Sequence, residues 1–433
     1  MAVSDRFRWG VSSAAYQIEG AAGEDGRGPS IWDTFTREPD RIADGGTGDV
    51  ACDHYHRWRE DVDLIAGLGV DAYRFSIAWP RVQPSGSGPV NAAGLAFYDR
   101  LVDALLARGV DPVATLYHWD LPQPLQDAGG WFSRDTAARF ADYADATAAA
   151  LGDRVKLWIT LNEPFIQMLF GHAFGMHAPG EQRMLGALPV AHHLLLGHGL
   201  AVAALRSRTG SPVAIANNYS PVRAVGDSDA DHAAAAVYDA LHNRLFTDPL
   251  LGRGYPEAPG LPVAELPIRD GDMEIIAAPI DALGVNYYNP VGVSAPSFPE
   301  LGLPFDMALL GGYELTDFGW PIVPEALTEL LGRLGTDYGL PLFVTENGCS
   351  YAASPDDGKR VEFLAAHVDA VEAARAAGAD VRGYFVWSIM DNFEWAEGYN
   401  QRFGLVHVDF DTQVRTPKAS YGWYRDRIAA SRR

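Results

Sequence analysis

The sequence predicts an α/β protein built as a single (β/α)8 TIM barrel, and three observations carry that prediction. Eight short apolar stretches alternate with stretches whose apolar residues recur three and four positions apart, the signature of strands alternating with amphipathic helices. Eight is also the number of parallel strands that closes such a barrel. Finally, the polar residues gather at the C-terminal ends of the strands, the face on which these barrels carry function. A doubly wound open sheet is the competing arrangement. It needs a glycine-rich phosphate turn after its first strand, and Gly10-Val11-Ser12-Ser13-Ala14-Ala15 lacks that spacing.

In order, strands are expected at 8–11, 72–77, 112–117, 155–161, 213–217, 283–286, 342–345 and 381–387. After the first strand comes a polar, glycine-rich excursion to Asp49, then a helix with Tyr55, Trp58, Val62 and Ile65 on one face. The next helix carries Leu95, Tyr98, Leu101, Val102 and Leu105. The same spacing recurs at Phe140/Tyr143/Thr147/Leu151, Leu194/Leu195/His198/Val202/Leu205 and Leu327/Leu330/Leu331/Leu334. Two last patterns follow, Leu364/Val368/Val371 and Trp423/Tyr424/Ile428. A chain of 433 residues exceeds the usual domain, but barrels of this class run long, and no linker or low-complexity tract divides it. Residues 1–433 therefore read as one domain.

The bulk composition excludes more than it assigns. With 48% hydrophobic and 21% charged residues the chain can build a large core. A net charge of −22 argues against nucleic acid and anionic membranes as partners. Two cysteines, Cys52 and Cys349, make no disulfide framework and suit a reducing compartment. The N-terminal residues show no signal-peptide apolar region, and no run reaches the ~20 apolar residues of a membrane span. The expectation is a soluble, cytoplasmic protein.

The chain is organised around Lys156-Leu157-Trp158-Ile159-Thr160-Leu161-Asn162-Glu163-Pro164. An apolar strand ends in an Asn-Glu pair, and the following proline biases Glu163 away from helical geometry. A carboxyl held at a dry strand end resists ionising and can give up a proton near neutral pH. The pattern returns where Leu342-Phe343-Val344-Thr345 runs into Glu346-Asn347-Gly348. The remaining strand ends supply Gln17, Arg74, His118, Trp119, Asn162, Asn286, Tyr288 and Trp387, with Glu394 and Trp395 just beyond. Flat indoles suit the apolar face of a sugar ring; amides, imidazole and carboxylate suit its hydroxyls. Arg74 and Tyr288, if near Glu346, would keep it anionic as a nucleophile, while burial and that negative charge would raise the pKa of Glu163. Carboxyls about 5–5.5 Å apart retain anomeric configuration and those about 6.5–9.5 Å apart invert it.

Seven motifs in order then carry a resemblance. They are the run from Trp9 to Gly20, Tyr73-Arg74-Phe75-Ser76, Tyr117-His118-Trp119-Asp120-Leu121-Pro122, Thr160-Leu161-Asn162-Glu163-Pro164, Asn286-Tyr287-Tyr288, Thr345-Glu346-Asn347-Gly348 and the run from Trp387 to Trp395. From Phe7 to about Arg427 the chain resembles glycoside hydrolase family 1, the β-glucosidase family. The resemblance implies a retaining β-glycosidase without metal or organic cofactor, acting on a β-glucoside or cello-oligosaccharide. By matching position Glu163 is the acid/base and Glu346 the nucleophile. Gln17, His118, Asn162, Glu394 and Trp395 hold the sugar hydroxyls, Trp387 forms the floor, and Arg74, Asn286 and Tyr288 attend the nucleophile; Trp119 belongs to the same substrate-binding set. The family's 6-phospho-sugar branch is the alternative, but Ala396-Glu397-Gly398-Tyr399 replaces its phosphate-binding residues, and Glu397 repels a dianion. A sugar-binding protein on an inactive scaffold is the non-enzymatic alternative, and it would have lost one of the glutamates.

Plainer readings apply elsewhere. Cys52, His54 and His56 invite a metal, but residues two apart do not share a helix face. His192, His193 and His198 lie in a helical pattern without matching acidic partners, and Cys349 has no base to activate it. The segment 349–358 after the second glutamate reads as short, and those around 227–231 and 294–312 as exposed.

Overall fold

All eight expected strands form. They are β1 (Arg8–Ser12), β2 (Ala72–Ser76), β3 (Asp111–Tyr117), β4 (Leu157–Asn162), β5 (Val213–Asn218), β6 (Ala282–Asn286), β7 (Leu342–Asn347) and β8 (Val381–Trp387). In this computed structural model, which describes residues 5–298, 303–352 and 357–433, each strand pairs in parallel with the next in sequence and β8 returns to β1. The result is a closed barrel with no free edge. Each strand is followed by a helix: α1 (His54–Gly67), α2 (Ala92–Ala107), α3 (Arg134–Leu151), α4 (Leu188–Arg208), α5 (Asp229–Asp239), α6 (Pro324–Tyr338), α7 (Gly358–Ala376) and α8 (Ala419–Ser431).

The helices bury the stripes that their spacing foretold. Tyr55, Trp58, Val62 and Ile65 of α1 are buried, as are Tyr98, Leu101, Val102 and Leu105 of α2. α4 departs from the pattern because it is buried nearly all round. The segment Met184–Arg208 is long and apolar enough to cross a membrane by length and composition, which the sequence reading did not anticipate. Most of it lies inside the fold, so it is a core helix packed on α3.

Strand boundaries moved for local reasons. β4 begins at Leu157 rather than at 155, because the Val155 amide donates to Leu151 at the end of α3. β7 runs on through Glu346 to Asn347, so the second glutamate lies within the strand rather than after it. Gly348 follows there because a side chain would collide with the carbonyl of Trp387 on β8.

The inside of the barrel is filled by Ala72, Val113, Leu157, Ile159, Ala214, Ala216, Ala282, Phe343 and Phe385. Two phenylalanines among small residues need room, and β1 supplies it. Gly10 pairs with Phe385, and any Cβ at position 10 would meet that ring. The segments read as exposed, 227–231 and 294–312, flank and partly form a small sheet of Val222–Ala224, Val291–Ser294 and Asp306–Ala308; Phe298, Met307 and Leu309 are open to solvent, and residues 299–302 lie outside the described residues. The short stretch after the second glutamate lies partly outside the described residues.

Candidate active site

The two glutamate strands are both irregular where it matters. The register of β4 against β5 slips between Ile159 and Asn162, and that of β7 against β6 slips between Val344 and Glu346. Such bulges re-aim the side chains that follow them. Glu163 then takes a left-handed conformation, φ 44° and ψ 60°, which a non-glycine residue adopts only where its surroundings hold it. Its amide donates to Ala216 of β5 at 2.8 Å, and Pro164 opens a helical turn, Pro164–Ile166. The Glu163 side chain does not cap that helix. It turns instead to Asn286, whose Nδ2 donates to Glu163 Oε1 at 2.7 Å.

From there one network of hydrogen bonds reaches the second glutamate. Asn286 Nδ2 also donates to Asn162 Oδ1 at 3.0 Å, and Arg74 Nη2 donates to the same oxygen at 2.6 Å. Arg74 Nη1 pairs with Glu346 Oε1. Tyr288 donates its hydroxyl to Glu346 Oε2 at 2.7 Å. Both oxygens of Glu346 are thus engaged by donors, one of them a full positive charge. Glu163 has the opposite setting: burial and the negative charge of Glu346 push its pKa up to about 8, against the Asn286 hydrogen bond and the more distant charge of Arg74.

His118 closes the network on its other side. Burial and the charge of Arg74 hold its pKa well below the usual histidine range, so the ring is neutral. Its Nε2 accepts from Asn162 Nδ2 at 3.0 Å, which leaves the proton on Nδ1. That buried Nδ1–H, like Gln17 Oε1, has no partner among the described residues. Gln17 Nε2 donates to Phe393 O at 2.9 Å, Asn392 Oδ1 at 3.1 Å and Glu394 Oε2 at 3.3 Å. Glu394 is itself pushed up to about 8, by burial and by the charges of Glu346 and Glu163. Three carboxyls thus share one site, Glu163 and Glu346 buried and Glu394 half-buried, and their mutual repulsion opposes ionising all three together.

The aromatic residues surround this polar centre. The His118 ring stacks with Trp387 (5.8 Å between centroids) and Trp395 (5.9 Å). Trp395 lies against Trp119 and Trp32 and parallel to Tyr16, and Trp119 donates its indole N–H to Asn162 O at 2.9 Å. Trp387 packs with Ala14 and Phe403, and Tyr288, Phe318 and Trp320 pack on that cluster. Every predicted site residue is therefore in one constellation. The arrangement offers a neutral buried acid, a charge-compensated carboxylate, unpaired polar atoms and flat apolar walls, which is a setting for acid–base work on a polyhydroxylated ring.

The sequence profile of glycosyl hydrolase family 1 matches residues 2–432. The chain belongs to that family. It is 49% identical to the thermostable beta-glucosidase B of Thermobispora bispora, over 98% of this chain and 89% of the relative. It is 45% identical to the bifunctional beta-D-glucosidase/beta-D-fucosidase of Bifidobacterium breve, over 98% and 97% of the two chains. Among solved structures, the beta-glucosidase from Thermotoga maritima in complex with glucoimidazole superimposes with a TM-score of 0.93 at 40% identity, covering 99% of each chain.

In this family 1 chain several contributors escaped the sequence reading. Thr345 steers Asn286 through a 2.6 Å bond from its Oγ1 to Asn286 Oδ1, and Thr115 Oγ1 accepts from Arg74 Nε at 3.2 Å. Asn218, one residue beyond the expected end of β5, is a strand-end amide, and Asn392 lies five residues past the end of β8 in the run from Trp387 to Trp395. Phe318, Trp320 and Phe403 come from loops without periodicity. One expectation is corrected: His192 does have an acidic partner. Its Nε2 lies 3.0 Å from Asp272 Oδ2, and Asp272 also binds Arg134, tying α4 to α3 across a separation that spacing could not show. His54 pairs with buried Asp61, while exposed His56 turns to Asp53 and Glu24. Burial pushes the Cys349 thiol up to about 12.

Proposed function

We propose that this protein is a retaining exo-β-glucosidase that releases terminal non-reducing β-D-glucosyl residues from small β-glucosides or cello-oligosaccharides. The observation that carries the proposal is the network running from Glu163 through Asn286, Asn162 and Arg74 to Glu346, with opposite electrostatics at its two ends. Glu346 attacks the anomeric carbon while Glu163 protonates the departing oxygen; the glycosidic C–O bond breaks and a glucosyl ester forms. Glu163, now ionised, takes a proton from water, and the hydroxide oxygen displaces Glu346. An alcohol in place of water gives transglycosylation.

Gln17, His118, Asn162, Glu394 and Trp395 hold the sugar hydroxyls in this reading. The unpaired His118 Nδ1–H and Gln17 Oε1 support it, because a buried polar atom without a partner is costly unless a ligand satisfies it. Trp387 and Trp119 supply apolar walls; Arg74, Asn286 and Tyr288 orient the two glutamates. The name of the Bifidobacterium breve relative supports some β-fucosyl tolerance, and β-galactosyl tolerance would follow from the same pocket. The whole chain acts as one cytoplasmic glycosidase domain needing no cofactor.

The test is a panel of aryl glycosides that differ only in the sugar. The β-glucoside should have the highest kcat/KM, ahead of the fucoside and galactoside, with no turnover of the α-anomer. NMR should show β-glucose as the first-formed product. Higher kcat/KM on the 6-phosphate, or α-glucose as first product, would overturn the proposal.

A further inference from the structure

Behind Glu163, on the β5 side, lies a pair of residues with no part in the scheme above. Asn218 is the last residue of β5 and pairs with Asn286 at the end of β6. Asn286 itself donates to Glu163 Oε1 at 2.7 Å, and the neighbouring Asn218 side chain lowers the pKa of the same carboxyl. Asn218 Oδ1 lies 2.7 Å from Nε2 of His242. The histidine is buried and held from two sides: its ring stacks on Phe165 at 3.9 Å between centroids and 16° between planes, and meets Tyr238 edge-on at 5.5 Å. Phe165 is two residues from Glu163, so His242 grips both the backbone that carries the carboxyl and the amide that faces it.

From this geometry we infer that Asn218 and His242 form a positioning pair for the acid/base, in which the imidazole locks the Asn218 amide with its NH2 turned to Glu163. The inference rests on the reading of Glu163 as acid/base. Burial holds the His242 pKa down to about 3, so the ring is neutral with a single N–H. A carbonyl oxygen only accepts, which puts that proton on Nε2 and fixes the amide orientation. The NH2 group then favours the ionised form of Glu163, offsetting part of the burial and the repulsion that raise its pKa. The other groups acting on this carboxyl are Glu346 from β7, Arg74 from β2, Tyr288 after β6 and Glu394 after β8. Asn218, held by His242, thus joins Asn286 and Arg74 in letting one carboxyl serve as acid first and base second.

The test is a 13C-carboxyl NMR titration of Glu163 in the full chain, its signal assigned by loss in Glu163→Gln. Asn218→Leu keeps the volume, excludes water and removes the donor, and should raise the titration midpoint by about one unit. His242→Phe keeps the stack on Phe165 but frees the amide, and should give a smaller rise; His242→Gln, which retains an N–H donor, should restore the midpoint. The alkaline limb of kcat/KM on an aryl β-glucoside should move with it. A midpoint at or below the wild-type value in folded Asn218→Leu, or in His242→Phe should the former not fold, overturns the proposal. Failure of the underlying reading shows separately, as Glu163→Gln that still hydrolyses unactivated alkyl β-glucosides.

Discussion

The ends of β4 and β7 present the same side chain from the same kind of bulged strand, yet in opposite surroundings. Glu346 meets a guanidinium and a phenol, so both of its oxygens are engaged by donors. Glu163 meets an amide and a second carboxyl, and its pKa rises to about 8. The difference lies in the residues that β2 and the end of β6 present to each carboxyl, rather than in the glutamates. The proposed division into acid and nucleophile therefore rests on which strand end supplies the neighbour.

The largest expected effect is removal of the compensated carboxylate. Glu346→Ala should lower kcat/KM by roughly 10⁴-fold or more on every β-glucoside, since no other group can accept the sugar. Glu163→Ala should behave differently. Alkyl and sugar leaving groups should lose about 10²–10⁴-fold, but an activated aryl group departs without a proton, so the first step survives. Azide should then restore turnover and give a β-glucosyl azide, identified by its anomeric coupling in NMR. An α-azide, or equal losses in both variants across all leaving groups, would erase the distinction between the two ends.

How much of this was legible in the sequence follows from what spacing can encode. The strands and helices were readable because a short apolar run or a period of 3.6 needs only nearby residues. The site residues were readable because a parallel barrel brings every strand's C-terminal end to one face, so position on a strand implies proximity. The bulges at Ile159–Asn162 and Val344–Glu346 were not readable; they depend on how each strand meets its neighbour. The His192–Asp272 contact links positions 80 apart with no shared period. Nor was the burial of α4 readable, since the same apolar pattern serves a core and a lipid environment.

A smaller effect separates the two glutamates by stability rather than rate. The folded pKa of Glu163 is raised from about 4.5 to about 8, so between those values the folded protein holds a proton that the unfolded chain has released. Stability from this group is complete below about pH 4.5 and falls as the pH rises through 8. Glu163→Gln removes the titration. Its melting temperature should match the wild type near pH 4.5 and exceed it near pH 8 by roughly 2–4 °C. The difference should grow with pH across that window in parallel thermal melts. A constant or shrinking difference would mean that the Glu163 carboxyl is not held protonated by its surroundings.

The smallest effect on activity is expected from the opposite part of the barrel, and it tests whether the site is insulated from the core beneath it. Gly10 of β1 leaves room for the Phe385 ring, which fills the barrel interior with Phe343. Gly10→Ala forces that ring or the strand to move, and overpacking of this kind costs about 1–3 kcal/mol. The melting temperature should fall, while kcat/KM of the folded protein stays within about twofold of wild type. Phe385 lies two residues before Trp387 on the same strand and so points to the same side of the sheet, which makes β8 the route by which a core shift would reach Trp387. If kcat/KM falls with the melting temperature, the interior phenylalanines set the height of Trp387, and the filled interior and the open end of the barrel work as one unit rather than two.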